Sequence, residues 1–322
     1  MTLAILLILL SLVILYFAAN WLVQGGASFA KRLGVSPLVI GLTVVSFGTS
    51  APELVVSVQS SIVGQGALSL GNVLGSNLFN VGVILGISAI IYPLVVKKQL
   101  FKLDVPVMIA STVLFLVTFY DGKLTFFEAT IYMSAFVLYI GYLIYKAIKN
   151  KEDETEDPNS EFKVTKHWVI DWLMIVIGLA GLVYGSDLLV DNSVFVATKW
   201  GMSEALIGLT IVAAGTSMPE LATSIVAAIK KQTDIAVGNV VGSNIFNMLL
   251  IIGTAGLIKP IETQDINMFD GIYLLAITLI LFVFMRIRRD INRVEGCILF
   301  ALYLAYFAYK LFSLSLKSIY LL

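Results

Sequence analysis

The chain of 322 residues is 59% hydrophobic and only 13% charged, and its mean hydropathy is +0.95. A soluble domain of this length needs far more polar surface, so the composition excludes a soluble globular protein. The 21 basic and 21 acidic residues balance and point to no charged partner, and one cysteine and one histidine exclude a disulfide framework and a Cys/His-rich metal site.

Apolar runs of about 20 residues, enough to cross roughly 30 Å of hydrocarbon, recur along the whole chain. The first run lacks the basic start and small-residue cleavage site of a signal peptide, so we expect it to be retained as a span. A mixed-charge segment, 148–167, follows the fifth run and is predicted to be a solvated linker. The ten predicted spans are 3–24, 36–63, 69–91, 103–120, 124–147, 168–190, 203–229, 235–258, 267–285 and 294–314.

Basic residues concentrate in alternate loops, beginning with Lys31 and Arg32 and including the linker. Loops rich in lysine and arginine face the cytoplasm in most membrane proteins. The sequence therefore predicts a multi-pass protein of the cell membrane, with the 148–167 linker cytoplasmic and both termini outside.

Two segments of the chain, 41–86 and 208–253, align without a gap, and 23 of the 46 aligned positions are identical. The matches concentrate in Gly, Ser, Thr, Asn, Pro and Glu rather than in the apolar residues that any two spans share. Five spans per half is an odd number, so the second copy must enter the membrane from the opposite side. The predicted fold is an all-α polytopic membrane protein of ten transmembrane helices.

The ten helices divide into two inverted-topology repeats of five, 1–147 and 168–322. This construction is typical of secondary transporters, which place their ion sites near the membrane midplane at the repeat interface. Two similar halves can exchange roles, so the arrangement predicts alternating access.

The repeated motif is GTSAPE at 48–53 and GTSMPE at 215–220. Pro52 cannot donate to the carbonyl four residues back, so the helix is expected to kink or unwind near 46–50. Carbonyl oxygens freed at this depth are tolerated only where the backbone is buried in protein or lines a cavity. A charged residue at mid-membrane costs at least ~2.5–3.5 kcal/mol and usually marks an ion pathway, which applies to Glu53 and Glu220.

Helical spacing places further oxygen-bearing side chains with Glu53 on one face of the second span and another such set on one face of the third span, and the second repeat does the same around Glu220. Carboxylate, hydroxyl, amide and carbonyl oxygens suit hard cations such as Na⁺ and Ca²⁺, whereas the lack of soft ligands argues against zinc, copper and iron. Small and polar residues also pack helices closely, so the GSN motifs alone leave packing and ion binding equally open. The residues on these faces are Ser46, Thr49, Ser50, Glu53 and Ser57; Asn72, Ser76 and Asn80; Thr216, Ser217, Glu220 and Ser224; and Asn239, Ser243 and Asn247.

The motifs GTSAPE…GNVLGSNLFN and GTSMPE…GNVVGSNIFN resemble the α-1 and α-2 repeats of the cation/Ca²⁺ antiporter superfamily, in particular the Na⁺/Ca²⁺ exchangers. The resemblance implies that Glu53 and Glu220 bridge Ca²⁺, assisted by the backbone carbonyls of Thr49 and Thr216. It also implies two flanking Na⁺ sites and a central position. Their residues would be Ser50, Ser76 and the carbonyl of Ser46; Ser217, Ser243 and the carbonyl of Ala213; and, at the centre, Asn80 and Asn247.

This sequence departs from the family at one position. Many Na⁺/Ca²⁺ exchangers carry aspartate where this chain has Asn247, so its pocket would hold two carboxylates rather than three. The departure leaves the ion stoichiometry and any H⁺ or K⁺ coupling open.

The sequence thus predicts a secondary antiporter that exchanges Ca²⁺ for Na⁺. We expect no enzymatic activity, no cofactor, no nucleic-acid partner and no obligate protein partner, with the two ions and the lipid bilayer as its contacts. The alternatives are H⁺/Ca²⁺ or K⁺-dependent Na⁺/Ca²⁺ exchange and, from another class, a cation channel. Proton-coupled relatives typically add an acid in the asparagine-bearing helix, and channels usually form pores from several symmetric subunits.

Overall fold

The computed structural model describes residues 1–149, 165–202, 211, 213–262 and 268–320. Most of the 148–167 linker and the start of the predicted seventh span lie outside these residues. The helices are α1 (Thr2–Leu33), α2 (Pro37–Thr49), α3 (Ala51–Ile62), α4 (Gly66–Ile91), α5 (Leu100–Thr118), α6 (Phe126–Lys149), α7 (Trp168–Lys199), α8 (Met218–Ile229), α9 (Thr233–Ile258), α10 (Met268–Arg288) and α11 (Arg293–Tyr320).

Within the described residues, eight helices are long and apolar enough to cross a membrane, or nine if the bent pair α2 and α3 counts as one span. The prediction of a polytopic helical membrane protein is therefore confirmed. The seventh predicted span is represented by the short turn Ala213–Gly215 and by α8, an apolar helix of 12 residues. Its beginning falls on residues that are not described, so ten spans remain a prediction.

The first and sixth spans were predicted too short, at 3–24 and 168–190. Helix α1 reaches Leu33 and α7 reaches Lys199. Glycine and polar residues lower the hydropathy beyond Gln24, but Gly25, Gly26 and Ala27 stay buried in the protein. Helix α1 therefore extends beyond its apolar, lipid-facing part, because the residues directly after Gln24 are buried against neighbouring helices.

The two repeats adopt matching local structure. Helices α3 and α8 begin and end 167 residues apart, and so do α4 and α9. Both α4 and α9 contain a widened π-helical turn, at Asn80–Leu85 and Phe246–Ile251. These two helices form the centre of the protein, since 78% of the α4 span and 94% of the α9 span are buried, against 17% and 11% for α6 and α11.

The predicted break at Pro52 is present. Helices α2 and α3 meet at Ser50 with a bend of 48°, and Pro52 lies in the first turn of α3, where its missing N–H is not needed. Helix α8 starts in the same way, after Ser217 and with Pro219 in its first turn. Both breaks thus create a helix N-terminus, the end at which backbone N–H groups stabilise negative charge.

Among the residues that the structure describes, four short strands form two antiparallel ribbons. Strand β1 (Leu94–Val95) pairs with β4 (Asp290–Ile291), and β2 (Lys123–Leu124) pairs with β3 (Ile261–Glu262). Each ribbon joins a loop of the first half to a loop of the second. The sequence did not predict these ribbons, because strands of two residues leave no period-two pattern, and the protein remains predominantly helical.

Helices α1 and α7 pack along each other through small residues. A Cβ atom added at Gly178 would lie 2.8 Å from the backbone nitrogen of Leu22, so only glycine fits there. At one end of this pair, the Arg32 Nε atom lies 2.8 Å from Asp171 Oδ2, and the Thr165 hydroxyl donates to Asp171 Oδ1. The Arg32–Asp171 ion pair therefore fixes the end of α1 to the start of α7 and to the C-terminal end of the linker.

Arg32→Ala should destabilise the protein by about 3 kcal/mol, because it leaves the fully buried Asp171 carboxylate without its cation. The value is at the low end for a broken buried pair because the Arg32 side chain is 30% exposed. Thermal unfolding of the purified protein measures the loss, which Asp171→Asn in the same chain should partly reverse. Lys199→Ala is the matched control, since Lys199 is the exposed repeat counterpart of Arg32. Equal melting temperatures for the two single variants would contradict a stabilising role for the pair.

Candidate functional site

The two glutamates of the repeated motif are both completely buried, in the first turns of α3 and α8. Each accepts a hydrogen bond from a serine of the opposite repeat. Ser217 Oγ donates to Glu53 Oε1 at 2.9 Å, and Ser50 Oγ donates to Glu220 Oε1 at 2.8 Å. The two carboxylates also lie close enough to interact electrostatically. The structure thus brings both motifs together in one site.

A second serine reaches each glutamate from within its own repeat. Ser76 Oγ lies 3.5 Å from Glu53 Oε1, and Ser243 Oγ lies 3.5 Å from Glu220 Oε1. At this length the contacts are weak hydrogen bonds. The four serines assigned to the flanking ion sites therefore all adjoin a glutamate.

Two asparagines that the sequence placed on the same faces hold the helices rather than face the carboxylates. Asn72 Nδ2 donates to the backbone carbonyl of Glu53 at 3.3 Å, and Asn239 Nδ2 donates to that of Glu220 at 3.3 Å. The Asn72 amide also donates to Ser57 Oγ on α3, and the Asn239 amide donates to Ser224 Oγ on α8, both at 3.0 Å. These contacts fix the broken helices against α4 and α9.

The two threonines of the motifs differ. Thr49 Oγ1 donates to Asn239 Oδ1 at 3.1 Å, across the repeat interface. The equivalent Thr216 Oγ1 is buried and has no hydrogen-bond partner within the described residues. The resemblance assigns the backbone carbonyls of these residues, not their hydroxyls, to Ca²⁺.

Ser46 and Ala213, whose carbonyls are assigned to the flanking Na⁺ positions, lie one helical turn before the breaks at Ser50 and Ser217. The Ser46 hydroxyl donates to the Gly41 carbonyl at 2.7 Å, so it is engaged with its own helix. The Ser46 carbonyl accepts the Ser50 N–H at 3.0 Å and lies 3.4 Å from the Thr49 hydroxyl. Ala213 begins the short turn Ala213–Gly215, in the corresponding position of the second repeat.

Sequence reasoning missed two residues, Asn77 and Asn244, which join Asn80 and Asn247 in a buried asparagine quartet. Asn80 Nδ2 donates to Asn244 Oδ1 at 3.0 Å, and Asn247 Nδ2 donates to Asn77 Oδ1 at 2.9 Å. Asn77 and Asn244 donate in turn to each other's backbone carbonyl, at 3.2 and 3.4 Å. The duplicated GSN was the only signal for these two residues, and it left packing and binding equally open.

Besides the Thr216 hydroxyl, four buried carboxylate and amide oxygens at this interface have no hydrogen-bond partner within the described part of the chain. They are Glu53 Oε2, Glu220 Oε2, Asn80 Oδ1 and Asn247 Oδ1, two from each repeat. A buried unpaired acceptor costs about 1–3 kcal/mol and more if charged, so such groups are rare without a role. Carboxylate and amide oxygens are ligands for a hard cation, and two carboxylates match the charge of a divalent one.

The site differs from a carboxylate-rich or thiolate metal centre. Across residues 1–149, 165–202, 211, 213–262 and 268–320, no group of three or more His, Cys, Asp or Glu side chains is positioned to hold a metal ion. Hydroxyls and amides therefore supply most of the polar groups around the two glutamates.

Comparisons with known proteins agree with this chemistry. A family model described as "Sodium/calcium exchanger protein" matches residues 3–145 and 170–312. The putative antiporter CaxA of Alkalimonas amylolytica is 38% identical over 97% of this chain and 100% of its own length. The sodium/calcium exchanger MaX1 of Methanosarcina acetivorans is 34% identical over 95% of this chain and 97% of its own.

Among solved structures, the sodium-calcium exchanger NCX_Mj superposes with a TM-score of 0.83 at 30% identity. The match covers 95% of this chain and 98% of NCX_Mj, in crystals soaked with 2.5 mM Na⁺ and 0.1 mM Ca²⁺. A further NCX_Mj structure, soaked with Na⁺ and Sr²⁺, has the same TM-score.

Proposed function

The chain belongs to the sodium/calcium exchanger family, and from this premise we propose that it exchanges Ca²⁺ for Na⁺ across the cell membrane by alternating access. The four unpaired oxygens at the repeat interface carry the proposal. Two come from glutamates whose summed charge of −2 is neutralised either by one Ca²⁺ or by two Na⁺. One site can therefore hold either ion species in turn, which is the requirement for exchange.

In this proposal Ca²⁺ binds between Glu53 and Glu220, with the backbone carbonyls of Thr49 and Thr216 as further ligands. Na⁺ occupies flanking positions, and Asn80 and Asn247 complete the centre. The flanking positions are formed by Ser50, Ser76 and the carbonyl of Ser46, and by Ser217, Ser243 and the carbonyl of Ala213. The hydrogen bonds from Ser50 and Ser217 to the opposite glutamates support this grouping.

In this proposal the ion site opens to the two sides of the membrane alternately, because the protein consists of two inverted repeats of five spans, 1–147 and 168–322. The equal spacing of α3 with α8 and of α4 with α9 supports the repeat. Because each repeat contributes half of the site, a change at their interface can open it to one side while closing it to the other.

Uptake of ⁴⁵Ca²⁺ into proteoliposomes tests the proposal. Outward Na⁺ gradients should drive uptake, whereas pH gradients of equal size, or K⁺ added without Na⁺, should not. Uptake driven by the pH gradient alone would replace Na⁺ by H⁺ as the coupled ion. Uptake that needs no counter-ion on the other side of the membrane would indicate a channel.

The same vesicles reveal the charge moved. One Ca²⁺ exchanged for two Na⁺ carries no net charge, whereas a third Na⁺ leaves one positive charge in transit. With the membrane potential clamped by K⁺ and an ionophore, only the unequal exchange changes its rate with voltage.

The proposed orientation predicts a labelling result. A cysteine at Ser160, in the linker, should resist membrane-impermeant reagents added outside intact cells, because the linker is cytoplasmic. The native Cys297 is exposed and must first be replaced by serine. Tyr120→Cys, on the exposed loop between α5 and α6, should be labelled from outside in the same background. Labelling of position 160 from outside would contradict the proposed orientation and indicate the opposite one.

A further inference from the structure

The asparagine quartet is an unbroken chain of hydrogen bonds between the repeats. All four side chains are at most 1% exposed. Asn77, on α4, bonds to Asn247, on α9, and Asn244, on α9, bonds to Asn80, on α4. Although Asn77 and Asn80 lie only three residues apart on one helix, their side chains bond across the interface and not to each other.

Each of these hydrogen bonds determines which group of the Asn80 or Asn247 side-chain amide, the oxygen or the NH₂, is left without a partner. An asparagine can present either its oxygen or its NH₂ group to a neighbour. The Asn247 NH₂ is committed to Asn77 Oδ1, and Asn247 Oδ1 is the buried atom without a partner. The same holds for Asn80, whose NH₂ is committed to Asn244 Oδ1.

Asn77 cannot turn over to reverse this choice. Its NH₂ donates to the backbone carbonyl of Asn244 at 3.2 Å. A flipped amide would set its oxygen against that carbonyl and its NH₂ against the NH₂ of Asn247, losing two hydrogen bonds in a buried site. The carbonyl of Asn77 holds Asn244 in the same way, at 3.4 Å.

We propose that Asn77 and Asn244 are positioning residues of the exchange centre, each turning an asparagine of the opposite repeat so that its oxygen faces the cation. The inference rests on the proposed function and adds two residues to it. Neither Asn77 nor Asn244 touches the ion. Each acts through one partner, Asn77 through Asn247 and Asn244 through Asn80.

This crossed pattern distinguishes positioning from helix packing. If the quartet only packs α4 against α9, its four members act as one network and every pair couples, Asn244 with Asn247 as well as Asn77 with Asn247. If Asn77 acts through Asn247, removing it matters only while Asn247 is present. Residues that share one interaction show such non-additivity in double-mutant cycles, whereas independent ones do not.

Equilibrium binding of ⁴⁵Ca²⁺ to the purified protein measures the cycle. Asn77→Ala should raise the Ca²⁺ dissociation constant about fivefold to tenfold, the size expected for losing one oriented oxygen. In an Asn247→Ala background it should add nothing further. Asn244→Ala is the matched control, since it should still weaken binding in the Asn247→Ala background and should add nothing in an Asn80→Ala background.

Independent, multiplying effects for the Asn77 and Asn247 pair would overturn the inference. Should an alanine variant fail to fold, Asn77→Leu and Asn244→Leu, which have a similar shape and no hydrogen-bonding group, enter the same cycles. If the wild type binds Ca²⁺ but the variants do not show the crossed pattern, only this inference is overturned. If the wild type binds no Ca²⁺, and Glu53→Gln therefore changes nothing, the proposed function is overturned as well.

Discussion

Glu53→Gln or Glu220→Gln should abolish Ca²⁺ exchange while the protein stays folded. Each change keeps an oxygen for the serine bond from the opposite repeat, so the interface retains its packing. It removes one of the two charges that face a divalent ion. Two opposite unit charges about 4 Å apart attract by about 4 kcal/mol at an effective dielectric constant of about 20, and a divalent ion doubles this, so binding should fall by about a hundredfold or more even after partial compensation.

Flux of ⁴⁵Ca²⁺ into proteoliposomes measures this loss, and thermal unfolding verifies the fold. Glu262→Gln is the control, because its side chain is 67% exposed and pairs with Lys123 in the β2–β3 ribbon, away from the two glutamates of the site. It should exchange as the wild type does. If a folded Glu53→Gln protein exchanged Ca²⁺ near the wild-type rate, the assignment of the glutamates to the ion site would be wrong.

Asn247→Asp should make Ca²⁺ exchange strongly dependent on pH, whereas the wild type should depend on it only weakly near neutrality. The Asn247 NH₂ lies 2.9 Å from Asn77 Oδ1, and an ionised aspartate would set an oxygen against that oxygen. Three carboxylates at one buried site also repel one another. An aspartate at position 247 would therefore hold a proton for part of the cycle, and that proton would compete with the transported ion.

Exchange rates measured across neutral pH check this expectation. For a single competing proton, the rate of the variant should fall by at most about tenfold per pH unit as the solution is acidified. Asn292→Asp adds an acid at the start of α11, where the side chain already accepts backbone N–H bonds, and should leave the profile unchanged. If the wild type itself lost activity steeply and Asn247→Asp changed nothing, this account of the asparagine would be wrong.

The sequence predicted those parts of the site that depend on local covalent chemistry. A proline without an N–H breaks its helix wherever the chain goes next, so the bend at Ser50 was foreseeable. The period of the helix likewise placed Ser76 and Ser243 on the oxygen-bearing faces of their own helices, and in the structure both lie beside the glutamates of their own repeats. Two buried acids in equivalent motifs predicted an ion site because an isolated buried charge is costly.

The contacts between repeats could not be predicted, because they depend on how two distant helices face each other. Asn77 follows Ser76 directly and so points about 100° away from the predicted face. That direction meets α9, which no spacing rule reveals. The difference between Thr49 and Thr216 was also hidden, since the two motifs read alike around them while only Thr49 reaches an asparagine.

Element ends were less predictable than element types. Hydropathy marks the part of a helix that faces lipid, and α1 and α7 continue past it along protein surfaces. The ribbons leave no pattern, because two residues are too few to alternate. Each depends instead on loops more than a hundred residues apart.

The two ribbons restrict the motions open to this molecule. A slip of one residue along either ribbon displaces its strands by about 3.3 Å and disrupts the pairing, so the two halves cannot slide past each other as rigid bodies. Strands β1 to β4 lie in the loops that connect α4, α5 and α6 and in those that connect α9, α10 and α11. Helices α1 and α7 adjoin no strand. We therefore expect the six helices that the ribbons connect to form a frame of fixed shape. The motions that open the site are then expected in α1 and α7, which the Arg32–Asp171 pair keeps together.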